Sequence, residues 1–298
     1  MTPPTPIASA TVIAALVLLS GCVNLSPGRS SGLTFDCPTS AKAPNARYVG
    51  PYLGVENNLT ASDRARDIYC ADLFKSTYYP KGFVTVFGSS RISDTSATGN
   101  AEVDAANKQV YEQVLGFARQ WTQHYGTRYP ILTGAGPGLM EAGNRGAHQA
   151  GGKSIGYTTY YDPDPNGTSN RFYKNDPSTA LHRYNNEDII TDGLIFTSVS
   201  MRETAMIEHS AAIVIAPGGT GTEWEIFQIL ETVKSHQIAT VPIYIVGDRE
   251  MHWKSFDARL ADMVKRGTLS AGAVAPYVEY VNDAQQVVEK LRVRLGLN

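Results

Sequence analysis

A chain of 298 residues, 42% of them hydrophobic, can bury a sizeable core, and its 26 basic and 28 acidic side chains leave a net charge of −2. That balance excludes the broad basic field of a nucleic-acid binder, so no nucleic-acid partner is expected. The sequence has no charged tail, heptad run or internal repeat, which excludes coiled coils and solenoids.

Residues 11–22, TVIAALVLLSGC, form a short apolar segment ending in small residues. A membrane span needs about 20 apolar residues, so this length suits the core of a signal peptide instead. Leu19-Ser20-Gly21-Cys22 resembles a bacterial lipobox, in which the Cys is lipidated and becomes the first mature residue. The resemblance implies removal of residues 1–21, a membrane anchor through lipid on Cys22, and a place on the periplasmic side of the envelope. Val23, where an inner-membrane retention signal would have Asp, implies the outer membrane. Export would put Cys37 and Cys70 in an oxidising compartment, where they either pair or stay as two thiols. No His or Cys cluster has metal-ligand spacing, so no metal is expected.

Residues 22–60 are rich in Ser, Pro, Asn and Gly and read as a tether and extended segment. A domain over 61–298 then opens with a helix at 62–78. From residue 83 apolar runs alternate with amphipathic stretches. FVTVFGSS (83–90) is a strand ending in Gly88, Ser89 and Ser90. In the next stretch Val103, Ala106, Val110, Val114, Phe117 and Trp121 recur every three or four residues, the pattern of a helix. Strands follow at 129–136, 153–159, 193–198, 211–217, 241–247 and 277–281, with helices between them from 138, 201, 222 and 253 and a last one from 283. Residues 160–192 are aromatic- and Asn-rich without periodicity, a long loop of the kind that often carries function. Tyr157 just before it, and Tyr160, Tyr161 and Phe172 within it, either pack the loop against itself or offer rings for stacking on a flat ligand. Uninterrupted apolar strands alternating with helices imply an α/β fold, a doubly wound parallel sheet with helices on both faces. In such sheets ligands sit beyond the carboxyl ends of the strands, where Gly88, Gly134, Gly136, Gly138 and the 218–221 loop all fall.

The loop APGGTGTEWE (216–225) carries the sharpest chemistry. Gly218, Gly219 and Gly221 allow close backbone approach, and a helix starting near Thr222 offers N–H groups and a positive dipole end to an anion. Thr220 and Thr222 add hydroxyls. A P-loop would need Lys where Thr222 stands, so a single phosphate fits better than a triphosphate. Thr222-x-x-Glu225 also matches a capping box, which would occupy Glu225 with the helix itself. Glu223 reads as a solvent-facing charge favoured by the dipole. The loop at 133–147 is not a dinucleotide fingerprint, because Leu139 stands where the last Gly would be, so no cofactor is expected. Arg202, near a helix start where the dipole disfavours it, is either a surface charge or is there to meet an anionic partner.

Together these residues resemble the LOG family of phosphoribohydrolases, often labelled lysine decarboxylases. The family's Pro-Gly-Gly-x-Gly-Thr-x-x-Glu loop is matched by residues 217–225, with Arg202 upstream. Its Gly-Gly-Gly-x-x-Gly-Leu-Met loop is matched, one residue shorter, by Gly134 through Met140, and its first strand by VTVFGSS. The likeness runs over 83–295 and implies a Rossmann-like fold, a homodimer, and cleavage of the N-glycosidic bond of a nucleoside 5′-monophosphate. The substrate would be AMP-like or cytokinin-riboside-monophosphate-like. Arg202 and Glu225 are implied to be catalytic and residues 218–222 to bind phosphate and ribose. Gly88, Ser89, Ser90, Gly134, Gly136, Gly138 and Met140 would line the pocket. Where the family has Arg-Lys this chain has Arg202-Glu203, a charge reversal that leaves a non-catalytic, nucleotide-binding envelope lipoprotein as the alternative.

Overall fold

Alternating side-chain direction along apolar strands decides the architecture. In the strand Ser210–Ile215, Ala212 and Val214 enter one core cluster while Ile213 and Ile215 enter another, so the sheet must be covered twice. The computed structural model describes residues 34–39, 45–54, 56–160 and 181–298. The lipobox with Cys22, and Tyr161 and Phe172, lie outside the described residues.

In chain order the elements are β1 (Arg47–Tyr48), α1 (Ala61–Tyr78), β2 (Phe83–Phe87), α2 (Ala101–Tyr125), β3 (Ile131–Thr133), α3 (Leu139–Gln149) and β4 (Ser154–Thr159). They continue with β5 (Arg183–Tyr184), β6 (Glu187–Asp188), β7 (Asp192–Phe196), α4 (Val199–Glu208), β8 (Ser210–Ile215) and α5 (Thr220–Lys234). The chain closes with β9 (Ile243–Val246), α6 (Lys254–Lys265), β10 (Val278–Val281) and α7 (Gln286–Arg294).

Eight strands form one sheet in the order β1-β7-β4-β3-β2-β8-β9-β10, and every pairing in it is parallel. After β2 the chain steps outward through β3, β4 and β7, then returns to the other side of β2 with β8. The switch in winding direction therefore lies between β2 and β8, where an open α/β sheet leaves its ligand crevice. On one face α2, α3 and α7 bury Val110, Val114, Phe117, Trp121, Leu139 and Leu291 against the sheet. On the other, α1, α4, α5 and α6 bury Phe74, Met206, Ile226, Ile229 and Phe256. The helices form where the sequence also supplies start signals. Asn100 accepts N–H bonds from Glu102 and Val103 at the start of α2, and Thr60 and Asp63 cap α1 reciprocally.

Two parts of the chain differ from the sequence reading. The stretch expected to be a tether through residue 60 is built into the unit from residue 35 onward: β1 pairs with β7 at the sheet edge, and Cys37 is disulfide-bonded to Cys70 of α1 with a Cα–Cα distance of 5.4 Å. A two-residue strand is too short to leave a periodic signal. Within the loop expected over 160–192, β5 and β6 form a hairpin around Asn185 and Asn186, both with positive φ, a conformation Asn tolerates.

Candidate functional site

The loops after β2, β3 and β8 meet at the switch point and are joined by main-chain hydrogen bonds. Ser89 N donates to Pro217 O at 3.0 Å, Leu139 N to Ser89 O at 2.9 Å, and Ala216 N to Phe87 O at 2.8 Å. Gly138 makes this junction possible: its φ is +68°, and a Cβ there would overlap the Ser89 carbonyl oxygen. Gly88 is pressed between Leu139 and Ala216, and Ser89 Oγ accepts from Arg91 N at 3.0 Å. Ser90 is exposed, and Gly134 and Gly136 are buried in the adjoining loop.

Helix α5 starts at Thr220, two residues earlier than the apolar pattern suggests. Its cap is Gly219, with no side-chain hydrogen bond, so the capping box between Thr222 and Glu225 is not made. The physical reason is register: with Gly219 at the cap, Thr222 and Glu225 both fall within the helix. The first helical bond runs from Glu223 N to Gly219 O at 2.9 Å. The N–H groups of Thr220, Gly221 and Thr222 thus have no carbonyl one turn behind them. Gly219 and Gly221 border open space, with no atom within 4 Å of where a Cβ would sit. Gly218 is needed for closeness, since a Cβ there would overlap Thr222. Thr220 is exposed on this lip, whereas Thr222 is buried and packs behind Gly218. Glu223 is not a free surface charge but pairs with Arg259 of α6 at 2.7 Å.

Arg202 projects from α4 and is 7% exposed. The missing side chain of Gly134 leaves room for it, because a Cβ there would lie 3.3 Å from Arg202 Nη1 and 3.0 Å from Met140 Sδ. The guanidinium pairs with Glu203, whose second oxygen is buried without a hydrogen-bond partner among the described residues. Glu225 lies on α5. Burial pushes its carboxyl up to about 7, while the Arg202 guanidinium pulls it the other way. The two side chains, on different helices, therefore share one electrostatic environment beside the open end of α5. A Glu near 7 can take or give a proton at neutral pH, and an adjacent Arg cannot, which divides their chemical roles.

Beside this centre lies a network the sequence did not announce. Glu141, in the first turn of α3, accepts from Tyr111 Oη at 2.6 Å and meets His182 Nε2 at 2.5 Å. These bonds hold its carboxyl below the usual range although burial opposes them. Arg145 donates to Tyr111 Oη at 3.1 Å and stacks over Tyr184 at 3.7 Å. His182 N also donates to Ala135 O at 3.0 Å, one residue from Gly134, whose missing side chain leaves room for Arg202. Only the position of Glu141 just after a glycine loop hinted at this. Tyr157, considered for stacking, is wholly buried and contacts His209 at 3.1 Å, because it stands mid-strand on a covered face. Tyr160 is engaged with Gly50 O at 3.0 Å and edge-on with Tyr52. Among the described residues no cluster of three or more His, Cys, Asp or Glu gathers as a metal site.

The chain is similar to the pyrimidine/purine nucleotide 5′-monophosphate nucleosidases of Escherichia coli strains K12 and O157:H7, each at 23% identity over 217 residues. That match covers 72% of this chain and 44% of each nucleosidase, so the chain spans less than half their length. Among solved structures it is similar to the molybdenum cofactor carrier protein of Chlamydomonas reinhardtii, with 19% identity, a TM-score of 0.44, and coverage of 72% of this chain and 99% of that one. A molybdenum cofactor binding protein from Rippkaea orientalis gives 16% identity, a TM-score of 0.42, and coverage of 72% and 97%. The model of the family described as possible lysine decarboxylase matches residues 140–291, just over half the chain, and the protein belongs to that LOG-like family.

Proposed function

We propose that the protein hydrolyses the N-glycosidic bond of a nucleoside 5′-monophosphate, releasing the base and ribose 5-phosphate. The observation that carries this reading is the shared environment of Arg202 and Glu225 beside the uncapped start of α5. The similarity to nucleotide monophosphate nucleosidases supports it. In this reading the N–H groups at residues 219–222 hold the 5′-phosphate, with the helix dipole behind them. Fixing the phosphate aligns C1′ of the ribose over Glu225. As the bond from C1′ to the base nitrogen breaks, the base leaves with the electron pair and takes a proton from solvent. The Glu225 carboxylate stabilises the oxocarbenium-like sugar and accepts a proton from the water that bonds to C1′. Arg202 orients Glu225 and reaches the ribose or the departing base. The test is incubation of the folded chain with AMP and other monophosphates. Free base is the expected product, and no free base from any of them overturns the reading.

The pairing of Arg202 with Glu203 favours a second reading, a non-catalytic nucleotide-binding protein, since the cation is already matched. It requires stabilisation of the fold by nucleotide without turnover, and hydrolysis abolished by Glu225→Gln excludes it. Lipid on Cys22 would hold the protein at the periplasmic face of the outer membrane. Incorporation of labelled palmitate that is lost in Cys22→Ala checks this. A homodimer, implied by the family, is checked by light scattering.

A further inference from the structure

We infer that the segment ahead of β2, which lies outside the family match, positions Arg202 through two carboxylates that clamp the first turn of α4. The inference rests on the reading of Arg202 as part of the reacting site. Asp67 of α1 is completely buried, and its Oδ2 accepts from Thr197 N at 2.9 Å and Ser198 N at 2.8 Å. Glu56 accepts from Ser198 Oγ at 2.8 Å, Ser200 N at 3.0 Å and Ser200 Oγ at 3.2 Å. Ser198 is the cap of α4: its Oγ accepts from Met201 N at 3.2 Å, and its carbonyl accepts from Arg202 N at 3.1 Å. The residue that starts the helix is thus gripped by its N–H and its hydroxyl, one turn ahead of Arg202.

A buried carboxylate is a costly way to fill space. Burial pushes Asp67 up to about 6 against the pull of the Ser198 and Thr197 bonds and of Arg66, and its Oδ1 has no partner among the described residues. An apolar side chain would pack there at lower cost, so the acid is explained by what it holds. The segment is itself fastened at two points. Cys70, three residues beyond Asp67, is bonded to Cys37, and β1 pairs with β7, the strand that runs directly into α4. The free end of α4 is thereby fixed from both the strand side and the helix side. Displacement of a reacting group by about 1 Å can cost about 100-fold in rate.

The test compares Asp67→Ala, Asp67→Asn and Glu56→Ala with wild type in the full-length chain. It reads kcat and KM on AMP and amide exchange over residues 197–202. Asp67→Ala is expected to lower kcat by about 100-fold and Glu56→Ala by about tenfold, with KM within about threefold. Asp67→Asn, which keeps an acceptor oxygen, recovers part of the loss. Exchange speeds up at 197–202 and not in α5. If Asp67→Ala fails to fold, Glu56→Ala and Asp67→Asn decide. Unchanged exchange overturns the clamp, and faster exchange with unchanged kcat overturns the positioning role. If wild type releases no base, the proposed hydrolysis falls while exchange at 197–202 still decides whether the clamp exists.

Discussion

Helices α4 and α5 both start at the carboxyl edge of the sheet, and their first turns are treated in opposite ways. The start of α4 is met from within the protein: Asp67 accepts from Ser198 N, Glu56 from Ser200 N, and the Ser198 hydroxyl from Met201 N. The start of α5 is left bare behind Gly219 and Gly221, with open space where side chains would be. Both ends carry the same unpaired N–H groups and the same positive dipole. Filled from within, such an end becomes a rigid mount for Arg202. Left empty, it keeps its donors free, and the proposed function assigns them to a phosphate. The chemistry of a helix terminus is therefore decided by whether the fold supplies a carboxylate to it.

The largest effect is expected at Glu225, the acid on α5 that senses Arg202 of α4. Glu225→Gln should lower kcat by about 100- to 10,000-fold with little change in nucleotide affinity, measured by steady-state kinetics and calorimetry. The wild-type rate should climb with pH through about 7, as the carboxylate forms. The stability sign is the reverse. A carboxyl held above its ordinary value of 4.5 favours the fold while protonated, so its cost is absent below about 4.5 and complete above about 7. Glu225→Gln should then melt higher than wild type at pH 8 and no higher at pH 4.5.

Next in size is the staple behind the capped helix. Reducing the disulfide between Cys37 and Cys70, which are 33 residues apart, should remove about 3–4 kcal/mol of stability in denaturant titrations. The contrast is sharpened by turning the bare end into a capped one. Gly219→Asp has space for its side chain and should raise KM about 10- to 100-fold by displacing the phosphate. It should also stabilise α5 by about 0.5 kcal/mol, so affinity falls while the melting temperature rises. Smallest is Glu223→Gln, which breaks the partly exposed pair with Arg259 and should change stability by less than about 1 kcal/mol.

The bare end was legible in the sequence and the capped end was not. Gly218, Gly219 and Gly221 stand together after an apolar run, so local order alone shows a loop that can approach a ligand. Asp67 lies 130 residues from Thr197, and nothing in the spacing of either residue points to the other. Glu141 and His182 are 41 residues apart and equally silent. The capping box at Thr222 and Glu225 misled for a related reason. A local pattern states what a helix start could use, and Gly219 was close enough to start the helix first.

The order of apolar strands and amphipathic helices, with glycine loops at the strand ends, was determined by the sequence alone, because periodicity and backbone freedom are properties of neighbouring residues. Which carboxylate caps α4, which acid senses Arg202, and how far Glu225 departs from an ordinary acid were decided only by the tertiary structure. Those outcomes depend on distance and burial between segments far apart in the chain, which the sheet order sets and no short pattern encodes.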